Sequence, residues 1–195
     1  RWQGVCMSAE EATSFGGVTM SVDQGGLVFG FKWNMGWMND SLRYLALEPI
    51  YRQYHHHEMT FAMVYQYSEN FVLPISHDEV VHGKGSIINK IPQDSWRQFA
   101  TLRAFYSFMW GFPGKQLLFM GCEFGQRTEF NEATSLEWWV SDQWGHHGLQ
   151  RLIKDLNELY TASPALWKLD SDPAGFRWIN ADAASGNTFS WVGSD

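Results

Sequence analysis

Residues 71–82 read FVLPISHDEVVH, an apolar run that changes abruptly into titratable groups. The apolar part is typical of a buried strand in a parallel sheet. His77, Asp78, Glu79 and His82 follow it at once. Because the carboxyl ends of parallel strands carry the active face in α/β barrels, this stretch predicts a functional site at a strand end.

The rest of the chain alternates between strand and helix patterns. Apolar runs next to glycine predict three further strands, at 4–10, 26–33 and 115–121. Apolar residues three or four positions apart predict amphipathic helices at 93–111 and 146–160. This alternation predicts an α/β fold with parallel strands and right-handed crossovers. In the first helix Asp94 is the expected N-cap, and the expected apolar face comprises Trp96, Phe99, Leu102, Tyr106 and Met109.

The pattern changes after Pro164. Two short stretches, 175–180 and 187–193, are separated by Asp, Ala, Ser and Gly residues and predict a β-hairpin. We therefore expect two domains. Residues 1–165 form the α/β part, and residues 166–195 begin a separate β-domain.

Composition excludes several kinds of partner. The 195 residues carry a net charge of −7 without a basic block, which argues against nucleic acid and against an anionic membrane surface. No apolar stretch reaches the ~18 residues that a membrane span requires. Aromatic residues make up 16% of the chain, which suits either a large core or stacking platforms for flat ligands.

Cysteine and histidine usage predicts neither a disulfide framework nor a metal site. Cys6 and Cys122 are too few for a disulfide scaffold, so a reducing, cytoplasmic compartment is expected. Three consecutive histidines stand at 55–57, but consecutive side chains do not all face one ion. We therefore expect no metal and no cofactor.

Polar side chains also end the other predicted strands. Glu10 and Glu11 follow the first, Trp33 and Asn34 end the second, and Glu123 follows the last. Any one of these carboxylates, taken alone, is most simply a solvated or salt-bridged loop group.

The third strand end is different. Asp78 comes directly after a buried strand and between two histidines, which favours a held carboxylate near developing positive charge. For His82, a functional role and a hydrogen bond to its own loop remain alternatives.

Five stretches occur in an order that is highly specific: SAEEAT (8–13), FKWNMGWMNDSLRYL (31–45), EPIYRQYHHHEMTF (48–61), SHDEVVHGKGS (76–86) and LLFMGCEFGQ (117–126). Together they resemble the glycogen branching enzymes, the 1,4-α-glucan branching enzymes of the α-amylase superfamily. The resemblance implies the C-terminal part of a (β/α)8 TIM-type barrel, followed by the start of an all-β sandwich domain. It also implies an α-glucan partner, such as glycogen or amylose.

The resemblance assigns roles to three strand-end residues. Glu10 matches the general acid/base, Asp78 matches the carboxylate that stabilises the transition state, and His77 matches a histidine that binds sugar hydroxyls. Glu11 and Glu79 are expected to support these groups from neighbouring positions.

Four further residues are candidates for binding the glucan. Trp33 and Trp37 are the expected stacking platforms, with Asn34 between them and His82 further along, because aromatic faces pack on the apolar faces of glucose rings. The alternative is that Trp37 belongs to the core of the next helix.

One catalytic element of the family has no counterpart in the sequence. The nucleophilic Asp of such enzymes lies in a motif of the type DGFR-D, and this chain contains none. A retaining mechanism needs two carboxyl groups about 5 Å apart, so the chain alone is expected to be inactive.

Two other functions remain open. A hydrolase or debranching enzyme of the same superfamily would share Glu10, His77 and Asp78, but we expect it to differ in KWNMGWM (32–38) and IYRQYHHH (50–57). A glucan-binding module without chemistry is the non-enzymatic alternative.

Overall fold

The computed structural model describes residues 4–81 and 83–195. Within them, a parallel sheet runs in the order β1-β2-β3-β4. Each neighbouring pair of strands is parallel, as the alternation of strands and helices predicts. The strands are β1 (Ser8–Ala9), β2 (Phe31–Trp33), β3 (Phe71–Ile75) and β4 (Lys115–Leu118).

Helices connect β2 to β3 and β3 to β4, whereas β1 is joined to β2 by a long loop with a 3-10 turn at Val22–Gln24. Strands β1 and β2 are much shorter than the stretches 4–10 and 26–33 that were predicted for them. The helices are α1 (Met35–Leu45), α2 (Pro49–Arg52), α3 (His57–Thr60), α4 (Ser95–Gly111) and α5 (Trp144–Ala162).

Helix α4 forms where its periodicity predicts. Asp94 caps it by accepting a hydrogen bond from the backbone N–H of Arg97 at 3.0 Å. The helix ends at Gly111, immediately before a residue in the extended region and Pro113. The expected apolar face is buried except at Trp96, which is 60% exposed. That part of the prediction is wrong, because Trp96 lies in the first turn of the helix and its ring stays largely open to solvent.

The core is one cluster of buried side chains from β3 and from helices α1, α3, α4 and α5. All five residues of β3 are buried, and Leu73 and Ile75 join the same cluster as Leu102 and Phe105 of α4. Full burial of such side chains contributes about 1.5–3 kcal/mol each relative to exposure. This packing fixes β3, and therefore the position at which its polar continuation begins.

The predicted hairpin is confirmed as an antiparallel pair, β5 (Phe176–Asn180) and β6 (Ser190–Gly193). It packs on α4, where the ring of Phe108 lies 5.4 Å from that of Trp191. The indole N–H of Trp191 donates to the carbonyl oxygen of Gly111 at 2.9 Å. Among the described residues, no helix combines the length and the apolar character needed to cross a membrane.

Candidate functional site at the carboxyl edge of the sheet

Parallel pairing brings the predicted strand ends to one edge of the sheet. Ala9 pairs with Lys32, which pairs with Phe71. On the other side of β3, Ile75 pairs with Leu118, and the N–H of Phe119 donates to the carbonyl of Ile75 at 2.8 Å. The segments that carry Glu10, Asn34 and Asp78 therefore leave the sheet in the same direction.

The chain turns sharply after β3 into a 3-10 helix, His77–Glu79, held by a capping box. The N–H of Asp78 donates to the hydroxyl of Ser76 at 3.3 Å, and the carboxylate of Glu79 accepts from the N–H of Ser76 at 2.5 Å. Because Glu79 is buried and engaged in this turn, it supports the turn.

His77 and Asp78 remain accessible at the edge of the sheet. Their side chains are 52% and 45% exposed, and Nε2 of His77 lies 3.1 Å from Oδ1 of Asp78. The imidazole also lies 6.0 Å from the ring of Phe119. A carboxylate and an imidazole thus stand side by side, an arrangement that can bind hydroxyl groups or stabilise positive charge.

The adjacent glutamates Glu10 and Glu11 have different environments. The ammonium group of Lys32 lies 2.8 Å from the carboxylate of Glu11, and the N–H of Thr13 donates to that carboxylate at 2.7 Å. These hydrogen bonds, first from Lys32 and then from Thr13, lower the pKa of Glu11 to about 2. Glu10 is exposed, and its carboxylate has no hydrogen-bond partner among residues 4–81 and 83–195.

Lys32 fixes the loop that follows Glu11. Its side chain is buried and donates to the carbonyl oxygens of Thr13 at 3.2 Å and Phe15 at 2.7 Å. Glu11 and Lys32 together therefore anchor the start of the loop after β1, whereas the side chain of Glu10 is exposed.

Asn34 and Trp37, two of the candidates for binding the glucan, have buried side chains. Both residues are 1% exposed. Asn34 caps α1 by accepting from the N–H of Trp37 at 2.9 Å, and it also accepts from the hydroxyl of Tyr65 at 3.1 Å. The indole of Trp37 stacks on the ring of Phe105, with 5.9 Å between the ring centroids. Trp37 therefore has the core position that the alternative interpretation gave it.

Trp33 differs from these two residues because it is only partly buried. It lines a hollow of about 630 Å³ together with Glu11 and Lys32. Tyr65 and Phe61 also line this hollow, and the sequence analysis did not single them out.

The remaining predicted positions have separate outcomes. His82 lies outside the described residues. His56 is buried, stacks on Phe189 at a ring distance of 4.2 Å and contacts the carbonyl oxygen of Ala181 at 2.9 Å. Within the described part of the chain, no group of three or more His, Cys, Asp and Glu side chains is arranged to hold a metal ion.

Sequence reasoning missed Glu129, which follows β4 and contacts the loop after β3. Its carboxylate accepts hydrogen bonds from the N–H groups of Gly83 and Gly85. The pair of glycines was the only local signal, because the partner lies in a different strand-end loop.

The fold and the site define a class: an α/β protein with acidic residues that follow the strands at the carboxyl edge of a parallel sheet. No family model matches the chain. Curated relatives, however, match nearly all of it. The 1,4-alpha-glucan branching enzyme GlgB of Cutibacterium acnes is 73% identical over 192 residues, which are 98% of this chain and 30% of the relative.

Two further relatives carry the same name. GlgB of Shewanella baltica is 60% identical over 97% of this chain and 25% of the relative. GlgB 2 of Streptomyces coelicolor is 57% identical over 98% of this chain and 27% of the relative. The chain belongs to the 1,4-alpha-glucan branching enzymes, of which it forms a segment. It spans between 25% and 30% of the length of these relatives.

Proposed function

We propose that this chain is part of an enzyme that cleaves α-1,4-linked glucan and transfers the released chain to a 6-hydroxyl group, forming an α-1,6 branch. The observation that carries the proposal is the 73% identity to a relative named as a branching enzyme, over 98% of the chain. The same name on two further relatives favours transfer over the hydrolase and debranching alternatives. Accessible carboxylates at the sheet edge favour chemistry over a binding module.

In this proposal, Glu10 is the general acid/base. It protonates the leaving glycosidic oxygen and later removes the proton from the attacking 6-hydroxyl. Its exposed carboxylate and the anchored neighbour Glu11 support that choice. An attacking carboxylate supplied by residues outside this chain would form the covalent intermediate.

Asp78 and His77 act on the sugar whose bond breaks. The Asp78 carboxylate stabilises positive charge that develops at the anomeric carbon, and His77 binds hydroxyl groups of the same sugar. Their side-by-side, half-exposed arrangement supports these roles. Trp33 is the stacking residue that we retain, whereas the burial of Asn34 and Trp37 makes their role the support of α1.

We further propose that residues 1–165 are the later part of a (β/α)8 barrel, and that residues 166–195 begin an all-β sandwich domain. The parallel sheet with intervening helices supports the barrel, and the antiparallel hairpin supports the second domain. The partner is an α-glucan, with no cofactor, metal, nucleic acid or membrane. Two free cysteines among the described residues support a cytoplasmic setting.

The test is the action of the full-length protein on amylose. Transfer creates α-1,6 linkages, visible by proton NMR, while the number of reducing ends stays constant. Hydrolysis raises the number of reducing ends without new α-1,6 linkages. Unchanged amylose in the presence of bound protein would instead support the binding module.

A further inference from the structure

The loop after β3 is held at its far end by one carboxylate. Oε2 of Glu129 accepts from the N–H of Gly83 at 2.8 Å and from the N–H of Gly85 at 3.1 Å. Both glycines have left-handed backbones, with φ of 81° and 69°. Two glycine amides that converge on one carboxylate oxygen resemble the backbone nests that bind anions, and here the anion belongs to the protein.

Two backbone and side-chain contacts reinforce this attachment. The N–H of Phe130, next to Glu129, donates to the carbonyl of Val80 at 2.8 Å. The side-chain amide of Asn89 donates to the carbonyl oxygen of Arg127, in the loop after β4, at 2.5 Å. The loops after β3 and β4 are therefore joined at several points along the sheet edge.

Asp78 lies between two fixed ends of its loop. On one side, Ser76 follows the buried strand β3 and is locked by the capping box with Glu79. On the other side, Val80 and Gly83 are bonded to Phe130 and Glu129. Phe130 and Glu129 therefore hold the backbone that follows Asp78 and Glu79 at two points.

We propose that Glu129 is a positioning residue, which holds the loop after β3 so that the Asp78 carboxylate has its productive placement. This inference rests on the proposed function, because it assumes that Asp78 acts on the sugar. Glu129 acts through the two glycine amides and not on the substrate. A displacement of about 1 Å at a reacting group costs up to about a hundredfold in rate.

The experiment uses the full-length protein and compares Glu129→Ala and Glu129→Gln with Glu132→Ala, a matched control at an exposed glutamate of the same loop. The first measurement is hydrogen–deuterium exchange of peptides covering the loop after β3. Loss of a charged acceptor is expected to speed exchange of the glycine amides by roughly tenfold or more in Glu129→Ala. The exchange rate in Glu129→Gln is expected to lie between those of the wild type and Glu129→Ala, because the amide oxygen still accepts hydrogen bonds from the glycine N–H groups.

The second measurement is the branching rate. In Glu129→Ala, kcat is expected to fall roughly ten- to a hundredfold with KM changed less than about twofold, because a misplaced Asp78 weakens transition-state stabilisation and not binding. Glu129→Gln recovers part of the rate, and Glu132→Ala keeps all of it. In an Asp78→Asn background, Glu129→Ala is expected to cause less than about a twofold further loss, because residues that act through one group are not additive.

The outcomes separate the inference from the proposed function. Faster exchange with unchanged kcat overturns the positioning role, and so does a full further loss in the Asp78→Asn background. Unchanged exchange of the glycine amides in Glu129→Ala would show that Glu129 does not hold the loop through these hydrogen bonds. If the wild-type protein forms no branches, the proposed function fails and the positioning role fails with it. The exchange data still show whether Glu129 holds the amides of Gly83 and Gly85.

Discussion

Adjacent residues at the end of β1 show how local contacts divide two identical side chains into different roles. Glu11 is tied to Lys32 and Thr13, which keeps it ionised and fixes the loop, while Glu10 stays exposed. The sequence pattern EE does not separate them, because the selection depends on Lys32 in the neighbouring strand.

In the full-length protein, Glu10→Gln is expected to lower kcat roughly 10²–10⁴-fold, since a general acid contributes about that much. Glu11→Gln is expected to be milder, because the amide oxygen still accepts from Thr13 while the ion pair with Lys32 is lost. Steady-state kinetics at matched thermal stability measure the difference. Equal losses in the two variants would reverse the assignment of Glu10.

A second pair of neighbours, Asp78 and Glu79, gives the corresponding comparison after β3. In the proposed function, Asp78→Asn removes the charge that stabilises the anomeric carbon, so this substitution is expected to lower kcat roughly 10²–10³-fold. Glu79→Gln is expected to cost much less activity, because its amide oxygen can still accept from Ser76. If Glu79→Gln removed as much activity as Asp78→Asn at the same melting temperature, Glu79 would have a direct role.

At the scale of elements, the hairpin is bound to α4 through a glycine that leaves room for an indole. A Cβ atom at Gly111 would lie 2.9 Å from Cζ2 of Trp191. The carbonyl oxygen of the same residue accepts the indole N–H. The packing of the hairpin on α4 therefore depends on the absence of a side chain at Gly111.

Gly111→Ala is expected to destabilise the protein by about 1–3 kcal/mol, the usual cost of overpacking, although alanine favours helix. The matched control is Gly148→Ala in α5, where a Cβ atom meets nothing within 4 Å. That variant is expected to stabilise by about 0.5–1 kcal/mol. Calorimetric melting of both variants measures the contrast, and a Gly111→Ala protein as stable as the control would show that the indole moves freely aside.

His56, which contacts Phe189 and Ala181 in the hairpin region, is expected to make the stability of the protein depend on pH. Burial lowers its pKa below the ordinary value of 6.5, against the opposing effects of the Ala181 carbonyl and Asp182, while the nearby His57 lowers it further. The neutral imidazole is thus favoured in the folded state, so its contribution is present above pH 6.5 and is lost as the pH falls through the lowered value.

Replacing His56 by Phe is expected to flatten the fall in melting temperature between pH 7 and pH 5, because phenylalanine keeps the stacking on Phe189 without a titrating group. His147→Phe, at an exposed position, is the control and should keep the wild-type slope. An unchanged slope in His56→Phe would show that other groups, such as the buried His146, set the pH dependence.

The sequence predicted those elements whose signals are local. The apolar run of β3 and the periodicity and Asp94 cap of α4 suffice to find them. The sequence left two interpretations of Trp37 open because the environment of its indole includes Phe105, which lies far away in the chain. The link from Glu129 to the glycine loop joins two different strand ends, so no local pattern contains it.

At the scale of the whole molecule, the proposed function divides the residues of one reaction between this chain and the rest of the protein. The chain contributes the proposed acid/base and the stabilising carboxylate, and a retaining mechanism also needs an attacking carboxylate about 5 Å from the acid/base. In the proposed function, neither Glu10 nor Asp78 is that attacking group.

The isolated 195-residue chain is therefore expected to have no branching activity on amylose. Iodine staining measures this, because branching shortens the linear helices that bind iodine and lowers the absorbance. The same chain carrying Glu10→Gln, purified in parallel, reports contaminating amylase. A loss of absorbance with the wild-type chain that is absent with the Glu10→Gln chain would show that this segment holds a complete catalytic set, and the attacking group would then have to be sought among its own carboxylates.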